Sequence, residues 1–330
     1  IYQSALPRAR TPPHRDELFA RSEKRWKDEF HCTFDLLLYD LTSTYFESDP
    51  PFAEGDPRRF GYSRDKRSDC VQVIIALVVT PEGFPLAYEV LPGNTADKTT
   101  LRTFLARIEG LYGKARRTWL MDRGIPTEEV LEELRTPTSE VKYLVGTPKG
   151  RLSRLESQLL DRPWQEVRSS VRVKLLPQPQ EIFVYVESQD RLHKERAMRL
   201  RKLRTLIQRL RELQQAKTPL SRDDLLMKLG GAKQAAGRVF ELLRLTIPQS
   251  DDDVRDFTFR LDRQKYRIWR RREGRYLLRT NLTTADPGQL WEQYLLLVEI
   301  EAAFKCLKDE LSIRPIFHQK EQRIRAHIFV

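Results

Sequence analysis

The stretch Cys32–Phe46, CTFDLLLYDLTSTYF, reads as a strand buried on both faces, because it is rich in leucine, aromatic and β-branched residues and nearly free of charge. Asp40 breaks that pattern, and an ionised carboxylate inside an apolar strand is costly unless a cation or a donor neutralises it. Taken alone, it could simply bond the nearby hydroxyls of Thr42, Ser43 and Thr44. Two more apolar runs come next, Val71 to Thr80 and Phe84 to Leu91, joined by the turn Pro81-Glu82-Gly83, so three strands form a meander. Gly93-Asn94 interrupts the chain, and Thr95 or Asp97 can cap a helix from Lys98 to Leu111 with Leu101, Phe104, Leu105, Ile108 and Leu111 on one stripe. A strand Thr118 to Met121 ending at Asp122, a helix Pro126 to Leu134 and a strand Lys142 to Val145 complete a β-β-β-α-β-α-β order.

Upstream, residues 1–30 read as a proline-containing linker that runs into a helix over Asp16 to Glu29. Beyond Gly150 come strand-like pieces (Val167 to Leu176, Glu181 to Glu187) and a long helix from Asp190 to Gln215. Between Arg191 and Arg211 that helix carries nine Lys or Arg, and it is either a coiled-coil arm lying on DNA or part of a helical hairpin with a solvated basic face. Asp251 to Asp253 opens a polar loop, Asp256 to Trp269 and Arg275 to Asn281 read as returning strands, and a helix runs from Gln289 to Leu311. The strand and helix order predicts an α/β protein with an RNase H-like core, a mixed five-stranded sheet of order β-β-β-α-β-α-β-α. Its first part is expected over 31–149 and its last part over 282–330, with an inserted α+β subdomain at 150–281.

The chain has 330 residues and 59 Lys and Arg against 47 Asp and Glu, a formal charge of +12. Such a length buries a full core without staples, and such a surplus attracts polyanions, of which phosphate backbones are the commonest. Three cysteines, Cys32, Cys70 and Cys306, stand far apart in no paired spacing, as expected of reduced thiols in a cytoplasmic protein. The longest apolar run, Val73 to Val79, is too short for a membrane span, and no signal segment opens the chain. His31, His193, His318 and His327 lack zinc-site spacing, and no phosphate-binding glycine fingerprint occurs. Trp269 and Tyr276 lie among Arg267, Arg270, Arg271, Arg272 and Arg275, where they either stack on exposed bases or pack a strand onto the core. The chain starts at Ile1 and stops at Val330 inside an apolar-periodic segment, which reads as a fragment.

Asp40, Asp122 and Glu301 form the pattern that carries chemistry. Asp122 closes an apolar strand at the position where strand ends carry function, and Glu301 sits among Ile300, Ala302, Ala303 and Phe304. Three acids of this kind suit Mg²⁺ or Mn²⁺, which prefer hard oxygen ligands, and two such ions can drive an in-line displacement at phosphorus. In the expected sheet the first and fourth strands are neighbours, which would bring Asp40 beside Asp122. Tyr294, Glu301 and Lys308 are spaced by seven residues each, so a continuous helix would put them on one face, Glu301 and Lys308 about 10 Å apart.

At this helix the chain resembles the DDE transposases of bacterial insertion sequences, in particular the insertion-sequence-four superfamily with its Y-(2)-R-(3)-E-(6)-K signature. The match is Tyr294, Glu301 and Lys308, and Leu297 stands at the arginine position. Also similar are YDLTSTYFE (Tyr39 to Glu47), GYSRDKRSD (Gly61 to Asp69), GFPLAYEVLPGNTAD (Gly83 to Asp97), MDRG (Met121 to Gly124), GRYLLRTNL (Gly274 to Leu282) and RPIFHQKEQRIRAHIFV (Arg314 to Val330). The resemblance implies a catalytic, metal-holding triad of Asp40, Asp122 and Glu301 with two Mg²⁺ or Mn²⁺ ions, and phosphate contacts from Tyr294 and Lys308. Arg123 or Arg279 are the candidates to replace the missing arginine. It further implies cleavage of double-stranded DNA at paired transposon ends, strand transfer to target DNA, a homodimer on those ends and a bacterial, nucleoid-associated protein. Two other readings stand beside it: an RNase H-like endonuclease without strand transfer, and an inactive DNA-binding remnant.

Overall fold

The computed structural model describes residues 12–50, 52–113, 116–136, 139, 141–148, 155, 157–159, 161–216, 220–249, 257–283 and 286–329. Residues 1–11 of the expected linker and the loop Asp251 to Asp253 lie outside them. The chain divides into two compact units, one comprising Ile1–Arg162, Leu175–Val184 and Leu277–Val330, the other Pro163–Lys174 and Tyr185–Tyr276.

In the first unit, helix α1 (Pro12–Phe30) precedes strands β1 (Leu36–Phe46), β2 (Val71–Val79) and β3 (Pro85–Pro92), which pair antiparallel as a meander. Helix α2 (Leu101–Tyr112), strand β4 (Thr118–Met121), helix α3 (Glu128–Leu134) and strand β5 (Lys142–Thr147) come next. β4 lies parallel to β1 and β5 parallel to β4, giving the order β3-β2-β1-β4-β5. The sheet is larger than the five strands expected. It continues through Leu277–Thr280 of β11 (Arg275–Thr280), antiparallel to β5, and then through parts of β8 (Glu181–Ser188) and β7 (Val171–Gln178). The result is a large mixed sheet.

Alternation along β1 decides where the site lies. Leu37, Tyr39 and Leu41 enter one core together with Leu101, Phe104, Ile108, Trp119 and Met121. Residues of opposite parity point to the other face, where Phe46, Val73, Ile75 and Val90 pack with Ile313, Ile316, Ile324 and Ile328. Asp40 therefore turns away from Tyr39 and onto this second face. Tyr39 itself is fully buried, and its hydroxyl donates to Thr100 Oγ1 at 2.7 Å.

Residues 57–62 are sewn across the ends of β2 and β3. The backbones of Arg59 and Gln72 exchange two hydrogen bonds, and Gln72 Nε2 donates to the carbonyls of Gly93 and Tyr62. This crossing needs glycine at two points: a Cβ on Gly61 would sit 2.2 Å from Gly93 O, and one on Gly93 would sit 2.0 Å from Gln72 O. Both clashes are with backbone, which cannot swing aside. Gly93→Ala is thus expected to cost about 1 to 3 kcal/mol, the range for overpacked sites, read as a lowered denaturant midpoint at unchanged slope.

The final helix is not continuous. It comprises α7 (Pro287–Leu295), α8 (Leu297–Lys305) and a π-helical turn over Cys306–Glu310. Tight bonds from Leu296 N to Gln293 O and from Glu299 N to Leu296 O break it at Leu296, and a wide bond from Leu311 N to Cys306 O opens the π turn. The expectation of one helical face through 294, 297, 301 and 308 is therefore corrected, since each departure from 3.6 residues per turn rotates the residues downstream of it. A last helix, α9 (Glu321–Phe329), closes the unit.

In the second unit, β6 (Gln165–Arg168) pairs with the start of β7. The long helix α4 (Gln189–Gln214) is capped by Ser188, whose Oγ accepts from Arg191 N. Its apolar stripe, Leu203, Leu206 and Leu210, packs with Leu225, Leu229 and Ala232 of α5 (Arg222–Ala236). Strands β9 (Leu243–Thr246) and β10 (Thr258–Leu261) form a separate hairpin. The strand expected over Asp256 to Trp269 is mostly a helix, α6 (Arg263–Arg272), because the Asp262 carboxylate accepts from Gln264 N and Lys265 N and starts one there. Trp269 is half-buried against the α4–α5 core, and the Arg191 guanidinium lies over the Tyr276 ring at 4.6 Å.

Candidate functional site

The parallel register that pairs Tyr39 with Met121 sets Asp40, in the middle of β1, beside Asp122, just past the end of β4, both on the face opposite Tyr39. Helix α8 packs on that face of β1 and carries Glu301. All three acids line one pocket of about 430 Å³, together with Arg64, Asp97, Gly124, Lys305, Lys308, Asp309 and Arg314. Residues distant in sequence thus reach one cleft because a parallel strand pair and a covering helix meet there.

Burial pushes the Asp40 carboxyl up to about 7, the bond from its neighbour Leu41 N opposes the rise, and Asp122 adds repulsion. Arg64 pulls the other way, but both of its bonds, at 2.7 Å, go to the two oxygens of Asp97. Asp97 is consequently an ion-pair partner and not the helix cap expected. Asp122 and Glu301 are exposed to the cleft. Among the described residues no group of three or more His, Cys, Asp or Glu is gathered closely enough to hold a metal ion. Ligation by all three acids requires their carboxylates to draw closer together than they stand here.

A raised carboxyl inverts the usual linkage. Folding lifts the Asp40 pKa from 3.8 to about 7, so between these pH values the folded chain holds the extra proton, and stability falls as pH rises through that window. Asp40→Asn should remove this cost. Without divalent cation and above pH 7 it is expected to be more stable than the unaltered chain by roughly 1 kcal/mol or more, after allowance for solvent at the cleft. At pH 4 the advantage should vanish; a constant advantage across pH would refute the assignment.

The four basic or aromatic candidates fare differently. Lys308 lines the pocket, and its ammonium donates to Asp65 Oδ1 at 2.7 Å. Burial lowers its pKa, and the bond to Asp65 offsets part of that shift. The Tyr294 hydroxyl sits over Gly146, 2.8 Å from where a Cβ would stand, beside Arg123. Arg123 is exposed next to Asp122. Arg279 is 4% exposed and is held by Glu128 and Glu181 through four bonds of 2.8 to 2.9 Å. Burial opposes its charge, but the two carboxylates outweigh burial and raise its pKa. The expectation of a phosphate contact from Arg279 is corrected to a buried ion pair. Leu297 is half-buried and does not line the pocket.

Sequence reasoning does not single out Arg64, Asp65, Asp97 or Arg314 as site residues. All four lie in the blocks GYSRDKRSD, GFPLAYEVLPGNTAD and RPIFHQKEQRIRAHIFV, and the loop 57–62 delivers the first two.

The profile of the family described as Transposase DDE domain matches residues 35–330. No curated protein sequence matches the chain. Among solved structures, the piggyBac transposase synaptic complex with hairpin DNA is similar at 8% identity and a TM-score of 0.44, over 89% of this chain and 45% of that one. The Mos1 transposase paired-end complex with left transposon end is similar at 18% identity and a TM-score of 0.23, over 38% of this chain and 40% of that one. The chain thus spans less than half the length of either of these two transposases. Among the described residues no helix is long and apolar enough to cross a membrane.

Proposed function

The chain belongs to the transposase DDE-domain family, and from that premise we propose that it cuts DNA at the ends of an insertion sequence and joins the freed 3′-hydroxyl to target DNA. The observation that carries this reading is the pocket in which Asp40, Asp122 and Glu301 meet four cations. Tyr294, Glu301 and Lys308 at the signature spacing, with leucine at 297 in place of arginine, support placing it in the insertion-sequence-four superfamily, and the strand order β3-β2-β1-β4-β5 with the acids at β1, β4 and a covering helix supports an RNase H-like core.

The donor set fits a hard divalent cation. Asp40 and Asp122 offer adjacent carboxylates, one of them kept from ionising by burial and by the other, a pairing that a cation would relieve. Asp40, Asp122 and Glu301 would hold Mg²⁺ or Mn²⁺, two ions in all. The chemistry such ions would supply there is activation of an attacking oxygen and stabilisation of the leaving one. The chain's own part is to hold the carboxylates on β1, at the end of β4 and on α8, to bring Lys308 and Arg314 into the same pocket for the phosphate, and to keep Tyr294 and Arg123, which meet beside Gly146, for the flanking strand. Water is the first nucleophile and the 3′-hydroxyl the second, so no covalent protein intermediate forms.

The inserted segment at 150–281 is proposed as a DNA-contacting subdomain; the unit built of Pro163–Lys174 and Tyr185–Tyr276 falls inside it, while 150–162, 175–184 and 277–281 group with the first unit. Arg201, Lys202, Arg204 and Arg209 of α4 and Arg267, Arg270 and Arg271 of α6 are exposed. Neutralising four of them should flatten the slope of log K against log[salt] by about 0.9 for each phosphate no longer gripped; an unchanged slope would mean solvated faces. Synapsis of two ends implies a homodimer on DNA, and the family likeness points to a bacterial, nucleoid-associated protein.

The function is tested with a supercoiled plasmid carrying the DNA that flanks the coding sequence. Mg²⁺-dependent cuts at the element's ends, and then joined products, are expected; cutting without joining would reduce the activity to that of a nuclease, and no cutting would refute it.

A further inference from the structure

We propose that Asp65 is a buried anchor that aims Lys308 and Arg314 together at the carboxylate pocket, where the pair grips one phosphate of the DNA strand and Arg314 supplies the guanidinium that position 297 lacks. The proposal rests on the reading of the pocket as the phosphoryl-transfer site. The Asp65 side chain is 4% exposed, and its Oδ1 accepts from Lys308 Nζ and also from Arg314 Nη1. Its Oδ2 is buried with no partner among the described residues. A carboxylate in that position is expensive to bury, and two cations on one of its oxygens more than neutralise it. Lys308 and Arg314 both line the cleft with Asp40, Asp122 and Glu301, so the two cations held by Asp65 stand where a phosphate would enter.

The rest of Arg314 is equally fixed. Its Nη2 donates to Asp309 Oδ1 at 2.7 Å, a half-exposed carboxylate. On either side, Ile313 and Ile316 are 2% exposed in the core beneath β1, and Ile316 N donates to Tyr45 O. A guanidinium has five donors in a planar fork, and these bonds use one on each terminal nitrogen, so the others remain for a second acceptor such as a phosphate. Of the remaining cations at the pocket, Arg64 is committed to Asp97. Arg123 and Arg279, candidates for the missing arginine, do not line it. The π turn of Cys306–Glu310 makes this arrangement possible, because it carries Lys308 toward Asp65.

The test is equilibrium binding, in EDTA, of a short fluorescein-labelled duplex taken from the DNA flanking the coding sequence, titrated across salt concentrations. Arg314→Gln is expected to lower the slope of log K against log[salt] by about 0.9, with roughly tenfold weaker binding at fixed salt. Arg314→Lys should keep the slope and bind several-fold more weakly, since it retains the charge but loses the fork. An unchanged slope for Arg314→Gln with a native melting curve overturns the proposal, and so does a slope in Arg314→Lys as low as in Arg314→Gln, which would mark a packing role. Should Arg314→Gln melt early, the affinity of Arg314→Lys decides: weaker binding at native slope supports the anchor, and native affinity overturns it. Mg²⁺-dependent nicking by the unaltered chain is scored separately, so that failure of the pocket reading is distinguished from failure of the anchor.

Discussion

Alanine at Asp40, Asp122 or Glu301 is expected to reduce Mg²⁺-dependent cleavage of a plasmid carrying the element's ends by about a thousandfold or more, the equivalent of the several kcal/mol that bound metal contributes to such a displacement. Affinity for the same DNA in EDTA should change little, because Lys and Arg contacts with phosphates dominate it. The three variants should also not be additive, since each removes part of one unit. Asp40 on β1 and Asp122 just past β4 lie on neighbouring strands and Glu301 on the helix that covers them, so loss of any one alters the same cleft. A variant that loses cleavage and DNA affinity together would point to unfolding instead.

Arg279→Ala is expected to destabilise the fold by about 3 kcal/mol, the low end of the range for breaking a buried ion pair. The guanidinium bridges Glu128 on α3 and Glu181 on β8 from its own strand β11. Glu181 would keep Arg135 Nη1 at 2.8 Å and the Tyr143 hydroxyl at 3.0 Å, which is why the loss falls at the low end. Denaturant unfolding by circular dichroism measures it. A change below about 0.5 kcal/mol, the size of an ordinary surface substitution, would mean the network is not closed as described, and would make Arg279 a candidate DNA contact again.

These two outcomes separate the residues that sequence reading reaches from those it misses. β1 is legible because both of its faces are buried, so nothing but apolar and hydroxyl side chains fits it and one aspartate stands out. Asp122 is legible for the same reason at the end of β4. Arg279 is not, because a basic residue on a strand looks exposed until its partners are known, and these lie 98 and 151 residues away. Lys308 and Arg314 share an acceptor more than 240 residues upstream, a contact that no spacing rule carries. The break at Leu296 is hidden because Leu295 to Val298 contain no glycine or proline to mark it. α5 is foreshadowed only by the helical-hairpin alternative for α4, with no bounds, and the burial of Leu225, Leu229 and Ala232 against α4 holds it in spite of Gly230-Gly231. α6 reads as a strand from its aromatic residues, and the Asp262 cap decides otherwise.

Anomalous diffraction from crystals grown with Mn²⁺ and duplex DNA tests the central claim most directly. Manganese peaks are expected within bonding distance of the carboxylates of Asp40, Asp122 and Glu301, and should disappear in crystals of Asp122→Asn. Manganese bound elsewhere on the chain, or peaks indifferent to Asp122→Asn, would contradict the assignment of this pocket as the metal-dependent centre.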